Sequence, residues 1–226
     1  MASESVIYLA DQRGLTRSSS YESFHTFNFG SYQNEYRKPF MRLTVFNEDT
    51  LKPRSILTYS VPENYFVFVL PVIGGIEFKI KEDDSITFIE AGQQLIMDVK
   101  DASQLIIVNP YQTGSVSFIC CWFASEYARR NTHAISSFDF EGSQNELVRL
   151  FSTEVVKAHL GKFSGRQDYI LKLDKDHSSI FAFVIEGAFE FQNRLLQPKD
   201  GLSIKSVLEV EFEALSNGAI VLIFEL

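Results

Sequence analysis

The sequence predicts an all-β protein built of two tandem β-barrels. Three observations carry this reading. Short runs of aromatic and β-branched residues are cut by turn-forming residues, helical periodicity is scarce, and a weak internal repeat pairs the first half of the chain with the second.

The strand-like runs come in order along the first half. Residues 41–46, 65–69, 75–80, 86–89 and 116–123 combine aromatic and β-branched side chains, often alternating with polar ones, as suits a pleated, half-buried surface. Residues 81–84 (Lys-Glu-Asp-Asp), 90–92 (Glu-Ala-Gly) and the Asn109-Pro110 pair supply the breaks. The acidic run at 82–84 is expected at a solvated hairpin tip, since consecutive carboxylates in a hairpin rarely converge on one ion. Helical candidates reduce to residues 125–130 and 143–152, and the second suits a strand equally well because Leu147, Val148, Leu150 and Phe151 are apolar or β-branched.

The repeat sets the domain organisation. Residues 66–78 resemble 180–191: each has an apolar strand, a glycine turn and a second strand ending in Glu-Phe. Further on, residues 90–96 echo 197–204, and 114–123 echo 218–224. We therefore expect an N-terminal barrel over 1–125, a connection over 126–144 and a C-terminal barrel over 145–226, with the alternative that N-terminal strands join the second barrel.

Composition narrows the function classes. A chain of 226 residues with 45% hydrophobic side chains can fill two small cores. Its net charge of −8 and pI near 5.1, with no Lys/Arg cluster, argue against direct nucleic-acid binding. Residues 1–15 hold no basic segment followed by an apolar core, and no apolar run is long enough to span a bilayer, so a cytoplasmic protein without membrane attachment is expected. Cys120 and Cys121 are adjacent in an apolar strand and point to opposite faces, which fits two unoxidised core thiols better than a disulfide. There is no Gly-x-Ser-x-Gly elbow, no His-Glu-x-x-His pair and no phosphate-binding glycine loop.

A longer ordered pattern opens the chain. Arg13-Gly14 is followed by Ser23-Phe-His-Thr-Phe-Asn-Phe-Gly-Ser-Tyr32 and then by Arg42-Leu-Thr-Val-Phe-Asn-Glu-Asp49. This series resembles the opening of the pirin family. The likeness covers about 6–125, and residues 183–226, with Glu186-Gly-Ala-Phe-Glu-Phe191 and Asn193-Arg-Leu-Leu196, look like the second cupin of bacterial pirin-like proteins. The resemblance implies a bicupin, two cupin jelly rolls in tandem. It also implies a divalent metal, usually iron, held in the N-terminal barrel by three His and one Glu. Several bacterial members are quercetin 2,3-dioxygenases.

Those ligands are missing from the matching positions. The family's His-Pro-His triplet, counted from Asn47-Glu-Asp49, falls on Ser60-Val61-Pro62, and alignment on Met97 and Asn109-Pro110 puts the other two ligands at Leu105 and Ile107. No slip of register restores the set, because the chain's histidines are His25, His133, His159 and His177, with none between residues 26 and 132. Pro, Leu and Ile have no lone pair to offer, and a Ser hydroxyl is a poor ligand for Fe²⁺.

Each histidine reads most simply as structural. His25 lies in the family's His-Thr-Phe motif and is expected to pack or hydrogen-bond, His177 is expected in a surface turn, and His133 and His159 have no suitably spaced partner. The expected protein is a non-catalytic, metal-free bicupin without a cofactor and with no catalytic residue. Ser60, Pro62, Leu105 and Ile107 would mark the vestigial site, facing a lumen largely closed by apolar side chains, with Phe66, Phe68 and Met97 as filling mass. Its partner would be a small molecule or a protein, and its state monomer or homodimer. The alternative is an enzyme with quercetin 2,3-dioxygenase-like or other metal-independent activity in the remodelled barrel. A role in transcriptional regulation, attributed to some pirins, rests on the family likeness alone.

Overall fold

The computed structural model describes residues 4–81, 85–126, 128, 130–173 and 179–226. The chain divides into two compact units, one over Gly14–Ser137 and the other joining the residues up to Arg13 to Phe138–Leu226. Among the described residues no helix is long and apolar enough to cross a membrane.

Strand β1 (Ser5–Tyr8) and a 3-10 turn (Ala10–Gln12) precede the first unit. That unit runs through β2 (Gly14–Arg17), β3 (Tyr21–His25), β4 (Leu43–Leu51), β5 (Ile56–Val61), β6 (Tyr65–Ile73) and β7 (Gly75–Ile80). It continues through β8 (Thr87–Glu90), β9 (Gln93–Val99), β10 (Ser103–Val108), β11 (Val116–Ala124) and β12 (Thr132–Ser137). A seven-stranded sheet has the order β12-β9-β6-β11-β4-β3-β2, and a four-stranded sheet has the order β5-β10-β7-β8. Side chains alternate across each strand, so every second residue faces inward. Val45 and Leu51, Leu57 and Tyr59, Val67 and Val69, Leu105 and Ile107, and Phe118 and Cys120 meet in one buried cluster drawn from both sheets.

The second unit holds β13 (Leu147–Ser152), β14 (Lys157–Phe163), β15 (Gln167–Lys172), β16 (Ile180–Glu186), β17 (Phe189–Phe191), β18 (Arg194–Leu196), β19 (Gly201–Ile204), β20 (Glu209–Ala214) and β21 (Ala219–Glu225). Its sheets read β1-β19-β16-β21-β14-β13 and β15-β20-β17-β18. The repeat seen in the sequence now has its physical form. β6 pairs with β9 and β11 as β16 pairs with β19 and β21, and β7 pairs with β8 and β10 as β17 pairs with β18 and β20. A ring cluster of Phe163, Phe189, Phe191 and Phe212 fills the second core, with Phe191 and Phe212 stacked at 4.7 Å.

Two pairings bear on the expected unit boundaries, and the second of them is the alternative given for the N-terminal strands. Thr132–Ser137, in the expected connection, pairs antiparallel with β9, and Ser5–Tyr8 pairs with Gly201–Ile204. Both are outer strands that satisfy the backbone groups of a neighbour. The residues of β12 are nearly all exposed, so its sequence carries no inward-facing pattern to read. The helix expected over 125–130 is absent among the described residues there, and 147–152 is a strand. The acidic positions 82–84 and His177 lie outside the described residues.

Asn109 ties the turns at one end of the first barrel together. Fully buried, it donates from its side-chain amide to the carbonyls of Leu51 (3.1 Å), Lys52 (3.0 Å) and Gly114 (3.0 Å), while its Oδ1 accepts from the Tyr111 amide at 3.0 Å. Asn109→Ala leaves these buried backbone groups without partners and is expected to cost about 1–3 kcal/mol, read as a lower urea midpoint. Nearby, Cys120 and Cys121 are free and fully buried on opposite faces of β11.

Candidate functional site

The pleat of β5 decides what the first barrel's centre contains. Its burial alternates strictly, with Leu57, Tyr59 and Val61 inward and Ile56, Thr58 and Ser60 outward. Ser60 is therefore exposed, and so is Pro62, which follows the strand. Leu105 and Ile107 are fully buried and lie opposite Tyr59 and Leu57 across the β5–β10 pair. Of the four positions singled out from the sequence, the structure thus brings Leu105 and Ile107 into the core, while Ser60 and Pro62 are exposed and Ser60 lines a neighbouring pocket. A strand has a period of two, so counting residues along it without knowing its face can land on the outer set. Met97 joins the core cluster, whereas Phe66 and Phe68 fall on the other face of β6 from Val67 and Val69.

Beside this packed centre lies a pocket of about 380 Å³ that the sequence reading missed. It is built where β2, β3, β4, β5 and β11 come together. Antiparallel pairing sets Thr16 opposite Ser23, Ser23 opposite Asp49, and His25 opposite Asn47, so a run of polar side chains shares the inner face. Gly14 makes room at the edge of this region. A Cβ there would stand 2.4 Å from the Tyr32 ring, and that ring lies nearly parallel to the His25 imidazole at 6.3 Å.

The polar run is tightly wired. His25 Nδ1 is 2.8 Å from Asn47 Oδ1, and Thr16 Oγ1 is 2.8 Å from His25 Nε2. This network fits an imidazole that donates from Nδ1 to the Asn47 carbonyl oxygen and accepts at Nε2 from the Thr16 hydroxyl. His25 is thereby an orienting group inside the fold. The other histidines lie elsewhere: His133 meets the Phe78 ring edge-on at 5.8 Å, and His159 Nε2 is 2.6 Å from Glu225 Oε1.

Asp49 is the pocket's acidic group. Its side chain is fully buried, and the Tyr59 hydroxyl donates a short hydrogen bond to Oδ2. Burial lifts its pKa from the ordinary 3.8 to about 7, and repulsion from Glu48 adds to the rise. The Tyr59 hydrogen bond and the nearby Ser23 hydroxyl offset part of it. Oδ1 nevertheless has no hydrogen-bond partner of ordinary geometry. Burial also drives the Tyr59 phenol and the Cys120 thiol well above their ordinary ranges, with the Asp49 charge reinforcing both shifts.

Three rings form the apolar walls. Phe29, Tyr59 and Trp122 meet at near right angles: Phe29–Trp122 at 5.6 Å and 85°, Tyr59–Trp122 at 5.7 Å and 76°, and Phe29–Tyr59 at 6.1 Å and 71°. Trp122 Nε1 is a second buried polar atom without a hydrogen bond of ordinary geometry, with the Cys120 thiol beside it. Unpaired buried donors and acceptors are rare, and two of them belong to residues that line this pocket.

Residues 154–226 match the quercetinase C-terminal cupin domain family. The bacterial pirin YhhW of Escherichia coli, solved in complex with nickel(II), superposes with a TM-score of 0.87 at 19% identity over 99% of each chain. YhaK of Escherichia coli gives 0.73 at 15% identity, covering 88% of this chain and 92% of its own. A quercetin 2,3-dioxygenase from Acinetobacter baumannii also gives 0.73, at 10% identity, covering 100% of this chain and 87% of its own. No curated protein matches in sequence. The chain therefore has the fold of these bacterial proteins, two cupin barrels in tandem, and its residues 154–226 match the quercetinase C-terminal cupin domain.

That fold brings a metal into question, and the residues present do not fit one. The inward positions of β5 and β10 are Leu57, Tyr59, Val61, Ser103, Leu105 and Ile107, which offer at most a phenol and a hydroxyl. Among the described residues no group of three or more His, Cys, Asp or Glu is placed to hold a metal ion. A divalent transition metal in a cupin needs imidazole and carboxylate donors, and these strands supply neither.

Proposed function

We propose that this chain is a non-catalytic, metal-free pirin-like bicupin whose N-terminal barrel binds a small molecule. The observation that carries the proposal is the exchange at the barrel's centre. Apolar Leu105, Ile107 and Val61 pack where donors would be needed, while a pocket with two unsatisfied polar atoms lies beside them. Binding then needs no chemistry at a metal: the rings bury an apolar ligand surface, and the polar atoms fix its orientation. A cytoplasmic setting accords with the two free, buried thiols.

Elemental analysis of the purified, tag-free protein tests this reading. Iron, nickel, copper and zinc are expected well below one equivalent, with no turnover of quercetin. Close to one equivalent of any of these metals, retained through extensive dialysis, would overturn it.

A further inference from the structure

We infer that the Asp49 pocket takes a small organic ammonium cation, whose N–H donates to Asp49 Oδ1 and whose apolar part lies against Phe29, Tyr59 and Trp122. The inference rests on the binding reading above and names the class of ligand. Four observations favour a cation over a neutral or anionic guest. Asp49 is the pocket's acidic group, fully buried, and one of its oxygens has no hydrogen bond. No Lys or Arg lines the pocket, and both ring nitrogens of its histidine face Thr16 and Asn47. Aromatic faces attract cations, most strongly where water is excluded, and three rings set at near right angles form such walls. The protein as a whole carries a net charge of −8, which draws cations rather than anions.

The second unpaired atom narrows the class. Trp122 Nε1 donates and cannot accept, so an amine that also carries a hydroxyl or carbonyl oxygen answers both groups at once. An arylalkyl amine with a hydroxyl on the chain meets these requirements within about 380 Å³.

Binding should couple to the charge of Asp49. An ammonium ion favours the ionised carboxylate, so affinity rises as pH passes through the range where the buried acid gives up its proton. The groups facing Asp49 are Tyr59 from β5, Cys120 from β11, Ser23 and His25 from β3, and Glu48 beside it on β4. Tyr59 and Cys120, their pKa values raised, keep their protons across that range.

The chain has one tryptophan, and it borders the pocket, so its fluorescence reports occupancy directly. Titrations with 2-phenylethylamine, 2-amino-1-phenylethanol and the neutral 2-phenylethanol form the test. Both amines are expected to bind at least about tenfold more tightly than the neutral alcohol, the hydroxylated amine more tightly of the two, and amine affinity to rise at least about tenfold from about pH 5.5 to about pH 8. Asp49→Asn, its fold checked by circular dichroism, should erase the preference for amine over alcohol. The pH series on the unaltered protein gives the same answer should that variant fail to fold. Equal binding of amine and alcohol, no binding of either, or a pH-independent amine affinity would overturn the inference. A neutral ligand found by thermal shift and quenching Trp122 would then leave the binding reading standing, whereas a resident metal would remove that reading itself.

Discussion

Leu105→Ala is expected to lower the stability of the protein by about 2–5 kcal/mol, the range for large-to-small changes in a packed core. Leu105 is fully buried and stands between Tyr59 on β5 and Ile80 on β7, in the middle of the four-stranded sheet. Truncation removes buried apolar surface, and the flanking strands, held in register by their ladders, cannot close over the space. Urea denaturation reads the loss as a lower midpoint with an unchanged slope. Ser60→Ala is the matched comparison: Ser60 is another of the four expected ligand positions but is exposed and lines the pocket rather than the core, and its change should stay within about 0.5 kcal/mol. Equal effects of the two changes, or an unaltered midpoint for Leu105→Ala, would mean that β10 does not pack its inward side chains as described.

The second large effect concerns pH. Asp49 holds its proton far more tightly in the folded chain than in the unfolded one, since its pKa rises from 3.8 to about 7. Below about pH 4 both states are protonated and the group costs nothing. Between about pH 4 and 7 the unfolded chain ionises while the folded one does not, so stability falls as pH rises, by about 1.4 kcal/mol per pH unit. Above about pH 7 the loss levels off at about 4 kcal/mol in total. Asp49→Asn removes this component. Subtracting the variant's urea-derived stability from that of the unaltered protein should therefore give a difference that becomes less favourable to the unaltered protein from acid to neutral pH and then flattens. Parallel pH curves for the two proteins would show that Asp49 is ionised in the folded state. On the proposed binding reading, the stability given up at this buried carboxyl keeps a group ready to receive a ligand.

Much of the fold was legible in the residues themselves. The Glu-Phe hairpins at 66–78 and 180–191 became β6–β7 and β16–β17, which occupy matching places in their sheets, because an inward apolar alternation and a glycine turn are local features that tertiary packing preserves. What escaped was facing. A strand buried on both sides, such as β6 with its run of buried residues, has no polar alternation to tell Phe66 and Phe68 from Val67 and Val69. The Asn47-Glu-Asp49 segment served as a landmark for counting, although Val45, Asn47, Asp49 and Leu51 share one face of β4 and the two polar members of that series were the available sign of a buried polar site. Tyr59 and Trp122 could not be joined to them from sequence. They come from strands far apart along the chain, and their meeting depends on which way each pleat turns.

The paired thiols on β11 have a consequence for how the molecule meets oxidants and alkylating agents. Cys120 and Cys121 are both fully buried, and burial raises both pKa values so far that almost no thiolate exists in the native state. Reagents reach them only when the sheet opens, so the rate of thiol labelling counts openings of the barrel rather than collisions at its surface. A central strand thus carries two silent reporters, one on each face, and the native protein is indifferent to the redox poise of its surroundings.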